Sequence, residues 1–166
     1  MNELPLFEIS ELNKEILSSD NFRNEFIVAD LFGSHFPSED PNDFNTLPLR
    51  FNALTFVLIT QGTVKIGIDY TLYTLEKNTF MTIMPTHTVQ VHMRSEDFKA
   101  KMVVISKGFL DGCNPSKTPP SATLYMQIRK NPFATLKPGD LKIVDDYFQL
   151  FRKKINMKNH HFQLEV

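Results

Sequence analysis

Residues 63 to 70 alternate without interruption: Val64, Ile66, Ile68 and Tyr70 are apolar or aromatic, while Thr63, Lys65, Gly67 and Asp69 are polar or small. A period of two puts one face of a strand against a core and the other toward solvent, which excludes a helix over this stretch. Val89, Val91 and Met93 alternate in the same way with Thr88, Gln90, His92 and Arg94. Gln61-Gly62, the corner from Asp69 to Thr71, and Lys77-Asn78 separate the apolar runs as turn signals. Short strands at near-regular spacing predict a mainly β fold, a small closed barrel or jelly roll.

The neighbouring segments extend that unit. Leu49 to Thr60 reads as one long strand, with Leu54, Phe56 and Leu58 on one face and Val57 and Ile59 on the other. Apolar residues on both faces mark a central strand covered on two sides. "FIVADLF" at 26–32 reads as a first strand, "TFMTIMP" as another ended by Pro85, and 98–106 as the last. Ahead of them, Ile9, Leu12 and Ile16 predict a short amphipathic helix over 7–18, capped by Ser10. Residues 33–48 are rich in Ser, Pro, Asp and Asn and read as a long polar loop.

Past the barrel, Gly and Pro interrupt 107–122. The pattern returns at 138–155, where Leu141, Val144, Phe148, Phe151 and Ile155 recur every three or four residues. That is one apolar seam on a helix, with Pro138 suited to its first turn and Arg152, Lys153 and Lys154 to its negative end. The seam can pack on the barrel or meet a second copy. The apolar-polar stretch "NHHFQLEV" reads as the start of a further, truncated helix, which favours the second copy. The expected divisions are an arm with a helix, strand and loop at 1–48, a barrel at 49–112, an irregular linker at 113–137, and helices at 138–166.

Composition narrows the function. The 166 residues are 42% apolar, enough for one domain with a real core. No run of eighteen apolar residues suggests a membrane span, and the first ten residues do not resemble a signal peptide. The single Cys113 cannot form an internal disulfide, and a cytoplasmic location is expected. The net charge of -1 conceals an asymmetry: residues 1–48 carry 10 acidic and 2 basic side chains, the rest 9 and 16. The basic residues are scattered, so no nucleic-acid groove is expected within this chain.

Candidate chemistry is sparse. His87 and His92 lie five apart in one proposed strand and face opposite sides, so no shared metal is expected unless a bulge intervenes. Nucleophile elbows and phosphate-cradling glycine loops are lacking, and Glu96-Asp97 and Asp145-Asp146 read as solvated pairs. No cofactor, no metal and no enzymatic activity are expected.

The order of the parts resembles the N-terminal sensor and dimerisation half of AraC-type bacterial transcription regulators, built on a cupin barrel. The resemblance rests on an acidic leader and loop, "LITQG" at the first hairpin, "NTFMTIMPTHTVQV" two strands on, and then an amphipathic helix. It implies a cupin-like double-stranded β-helix, a jelly-roll barrel with C-terminal α-helices. Cupins typically carry H-x-H followed by Glu and Gly, and then P-x-G-x-x-H. Here Arg50, Asn52 and Gln61 stand around the first motif, Lys77-Asn78 replaces the Pro-Gly turn, and His87 alone is kept.

The resemblance further implies a small-molecule effector, a sugar among the candidates, a homodimer, and DNA contact only through a helix-turn-helix half outside these residues. Arg50, Asn52, Phe56, His87 and His92 are the expected ligand-binding residues, as polar or aromatic groups on barrel strands. Leu141, Val144, Phe148, Phe151 and Ile155 are the expected dimer interface. The alternatives are a metal-free cupin isomerase or other cupin enzyme, and a plain dimerisation module whose barrel is filled by its own side chains.

Overall fold

The computed structural model describes residues 6–7, 9, 19–33, 48–85, 87–113 and 122–157. Their strands form two facing sheets. One has the order β1 (Leu6–Phe7), β4 (Leu49–Phe51), β9 (Thr88–Arg94), β6 (Thr63–Ile68), β7 (Thr71–Glu76). The other runs β11 (Phe133–Thr135), β8 (Thr79–Ile83), β5 (Ala53–Gln61), β10 (Lys99–Ser106), β3 (Phe26–Phe32), β2 (Ser19–Phe22). All neighbours are antiparallel except β1 and β4. From β3 to β10 the chain passes repeatedly from one sheet to the other, with the β6–β7 hairpin as a pause. The fold is a jelly roll, mainly β with helices toward its C-terminal end.

The alternation read from sequence places the core. Val64, Ile66, Ile68 and Val89 from the first sheet meet Ile27, Ala29, Val57, Ile59, Met81, Ile83 and Val104 from the second, all buried. Ile9 joins them. The opposite face of the second sheet carries a separate apolar cluster, with Phe26, Val28, Leu58 and Val103 buried and Phe56 and Phe80 partly so. Residues on both faces of β5 and β10 are therefore covered, as expected for central strands.

That second cluster is roofed by helices. Helix α1 (Lys107–Cys113) sets Phe109 edge-on to Phe26, at 6.1 Å. Helix α2 (Ala122–Lys130) precedes β11, and α3 (Pro138–Asn156) begins on Pro138 as predicted. Phe148 of α3 is buried, and Leu141, Val144, Phe151 and Ile155 pack beside it on the same cluster. Arg152 pins the helix to the sheet edge by pairing with Asp20 on β2 at 2.8 Å and Asp30 on β3 at 2.9 Å. Lys101 on β10 pairs with Asp145 on the helix.

Several expectations need correction. Leu49 to Thr60 is two strands: the chain breaks at Asn52, leaving β4 in one sheet and β5 in the other. The barrel does not begin at residue 49, because β3 is an interior strand of the second sheet. Residues 113–137 are no irregular linker, since α2 and β11 lie within them, and α1 occupies the start of the Gly- and Pro-broken stretch. Phe7 belongs to β1 and not to a helix; most of the helix expected over 7–18 and of the loop at 33–48, and the truncated helix after 157, lie outside the described residues. The dimer seam is also corrected. Leu141, Val144, Phe148, Phe151 and Ile155 are the side chains that seat α3 on its own sheet, where apolar area is buried without a second copy.

Candidate functional site

At one end of the barrel three polar side chains converge. The first is His87, fully buried at 0% exposure. Pro85 sets the turn that leads into it: the His87 backbone N–H donates to the Met84 carbonyl at 2.9 Å, as a β-turn with proline at its second position requires. The Met84 N–H in turn donates to His87 Nδ1 at 3.3 Å. Nδ1 is thereby an acceptor, so the proton of the neutral ring sits on Nε2. His87 shares the inward parity of Val89 and Val91, and its Nε2 has no hydrogen-bond partner.

The second is Asp69, in the two-residue turn between β6 and β7. Asp69 and Tyr70 have φ of +46° and +67°, the left-handed pair that a tight hairpin needs. Asp69 Oδ1 accepts from the Thr88 N–H at 2.9 Å, and the Asp69 N–H donates to the Thr88 carbonyl at 2.9 Å. The hairpin tip is thus clamped to the start of β9, beside His87. Asp69 Oδ2 remains 4.0 Å from His87 Nε2, outside hydrogen-bond range. The third is Arg129 on α2, whose Nε stands 3.7 Å from the same Oδ2. The Asp69 and Arg129 side chains are 32% and 48% exposed, so the group opens to solvent on their side.

Burial favours the neutral form of His87. Burial lowers its pKa below the ordinary 6.5; Asp69 pulls the other way, and Arg129 reinforces the lowering. A second buried polar group, Thr55, lies on the inner face of β5 with its Oγ1 also unpartnered. Orphaned buried polar atoms are uncommon and costly, which makes both informative. Among the described residues no three His, Cys, Asp or Glu side chains group as a metal site would.

The other expected ligand-binding residues scatter. Arg50 is exposed, on the face of β4 opposite the buried Leu49. Asn52 is half-buried at the crossing between sheets, where its carbonyl accepts from the Lys107 N–H. Phe56 stacks on Phe80 at 5.8 Å on the helix-covered side of the second sheet, away from the barrel interior. A bulge does fall at His92: the β6–β9 register runs Lys65 to Met93 and then Ile66 to Val91, skipping it. Its Nε2 lies 3.2 Å from where a Gly67 Cβ would stand, so the ring covers Gly67 on the outer face. His87 and His92 therefore remain on opposite faces. Of the five, the structure brings His87 alone into the convergent group. Asp69 read as a turn former and Arg129 fell in a stretch read as linker; pairing across 60 positions leaves no local signal.

No protein-family model matches the sequence. No curated protein matches it either. Similar solved structures include ToxT from Vibrio cholerae bound to (E)-4-(8-methylnaphthalen-1-yl)but-3-enoic acid, at 13% identity and a TM-score of 0.47 over 85% of this chain and 53% of that one. The Schizosaccharomyces pombe Cnp3 cupin domain aligns at 10% identity and a TM-score of 0.38, over 57% of this chain and 66% of its own. A Ralstonia eutropha protein assigned as a mannose-6-phosphate isomerase aligns at 9% and 0.44, over 54% and 82%. The chain spans about half the length of the ToxT structures it matches. The described residues form a jelly roll with C-terminal helices.

Proposed function

We propose that this chain is the small-molecule-sensing domain of an AraC-type transcription regulator and that the His87 end of the barrel receives the effector. The observation that carries this reading is a fully buried histidine whose Nε2–H has no partner, beside a carboxylate and a guanidinium that reach solvent. A buried donor left unsatisfied costs about 1–3 kcal/mol, and a ligand that accepts from it recovers that cost on binding. The domain binds and does not catalyse. DNA contact belongs, in this reading, to residues outside this chain, and the protein works in the cytoplasm.

The regulator works as a homodimer. With the Leu141–Ile155 seam seated on its own sheet, pairing falls to the other stripe of α3, where Ile143, Tyr147 and Leu150 are 56%, 56% and 44% exposed. Their spacing of four and three residues aligns them on one helix face, suited to a two-fold contact with the same stripe of a second copy.

A thermal-shift screen of sugars and other small metabolites tests the sensing role. An effector at 100 times its dissociation constant stabilises by about 2.7 kcal/mol, roughly 5–10 °C for a chain of this size. A compound that does so in the unaltered protein and loses its effect in His87→Phe is the expected result. Stabilisation that ignores this substitution would place the ligand elsewhere.

A further inference from the structure

We infer that His87 is a proton-operated latch: a second proton on its ring releases the Met84 N–H and draws Asp69 away from Arg129 on α2. The device involves no ligand, so it goes beyond the sensing role and does not depend on it. In the neutral ring Nδ1 accepts from the Met84 N–H at 3.3 Å, so the imidazole itself helps to close the turn that carries it. An imidazolium is a donor at both nitrogens. Its Nδ1–H then faces the Met84 N–H, donor against donor, and that bond is lost. The turn keeps its other bond, from the His87 N–H to the Met84 carbonyl at 2.9 Å, so the change stays local.

Asp69 is placed to change partners. Its Oδ1 is held by the Thr88 N–H and its own N–H by the Thr88 carbonyl, which leaves Oδ2 to swing about a fixed point. Oδ2 stands 3.7 Å from Arg129 Nε and 4.0 Å from His87 Nε2, which has no hydrogen-bond partner to give up. Closing the longer gap to a charge-assisted bond of about 2.8 Å takes a shift of about 1 Å. The Arg129 side chain is 48% exposed, so solvent screens its pairing more than that of a charged ring inside the barrel. Among the described residues, the charged groups that act on the ring are these two. Burial opposes its charge most, Asp69 favours it, and Arg129 opposes it. Arg50 on β4, one position from the Thr88 pairing of the turn, is exposed on the outer face. The latch therefore trips in acid, below the ordinary histidine range.

An NMR titration of the full chain from about pH 7.5 to about pH 4, with no compound added, tests the latch. The imidazole should titrate below about pH 6.5. With the same midpoint, the Met84 amide should lose about tenfold or more of its exchange protection, after correction for the intrinsic pH dependence of exchange. The Arg129 Nε resonance should move in step, while the His87 and Thr88 amides stay protected. His87→Gln, which does not titrate, should make Met84 exchange protection independent of pH. Asp69→Asn keeps an Oδ1 acceptor for Thr88 and a residue type that tolerates positive φ, and it should lower the imidazole midpoint. Arg129→Met, at an exposed position, should raise it. A Met84 amide that stays protected while the ring titrates overturns the proposal, as does an Arg129 resonance that does not follow. Loss of Met84 protection at the same pH in His87→Gln overturns it too, and so do midpoints that the other two substitutions fail to move in opposite directions. A ring that never titrates, or global unfolding first, seen as joint loss of protection at Val103 and Val104, also contradicts it.

Discussion

Gly62 shows how one position can fix a hairpin. Its φ of +72° lies in the left-handed region, and a Cβ there would stand 2.4 Å from Ser95 Oγ and 2.8 Å from Phe98 Cα. Ser95 cannot simply turn aside, because its Oγ accepts from the Thr63 N–H at 2.9 Å and donates to Asp97 at 2.8 Å. Gly62→Ala should therefore cost about 1–3 kcal/mol, read from urea denaturation. His87 governs a different property. Its pKa is lowered in the folded chain, chiefly by burial, so near pH 6.5 the unfolded chain binds more protons than the folded one. Stability then falls as the pH drops through about 6.5 toward the folded pKa, and this contribution is flat above it. His87→Phe should show a shallower loss than the unaltered protein between about pH 7.5 and 5.5 in matched denaturation curves. An unchanged slope would mean that the imidazole is not shielded as described.

The elements differ in how far their neighbours could be read in advance. Strict alternation over 63–70 and 88–94 assigned the inward side chains of β6 and β9, because a half-buried strand must obey a period of two. It could not say which sheet a strand joins. Leu49 to Thr60 looked like one element since both of its halves are apolar, yet the chain changes sheets at Asn52. The seam on α3 was legible as a buried face, but what buries it was not, because an apolar stripe has the same pattern against a sheet as against a second helix. The structure resolves that ambiguity, and the two stripes of α3 now predict different outcomes. Phe148→Asp places a charge in the cluster with Phe26 and Leu58 and should destabilise the fold by about 3 kcal/mol or more, seen as a lower melting temperature. Tyr147→Asp, on the exposed stripe, should leave melting nearly unchanged and shift sedimentation toward monomer. A monomeric unaltered chain would remove the pairing role from this stripe.

At the scale of the whole molecule, two sheets enclose one core while helices cover the back of the second, and the polar end of the barrel is assembled from distant pieces. A turn at 69, a turn at 84–87 and a helix at 122–130 meet only because the strands between them pair in this order. His87 could be nominated from its place in the motif pattern, whereas its partners could not, since nothing local marks Asp69 or Arg129 as neighbours of a buried ring. The proposed sensing role requires that this ring be neutral, bear its proton on Nε2, and hold that proton out to a ligand. A long-range proton–nitrogen NMR spectrum of the imidazole, followed while a stabilising compound is added, tests it most directly. A protonated Nε2 and a bare Nδ1 are expected near neutral pH, with the Nε2 resonance moving as the compound binds. A proton on Nδ1, or an Nε2 resonance that stays fixed while the compound saturates the protein, would contradict it.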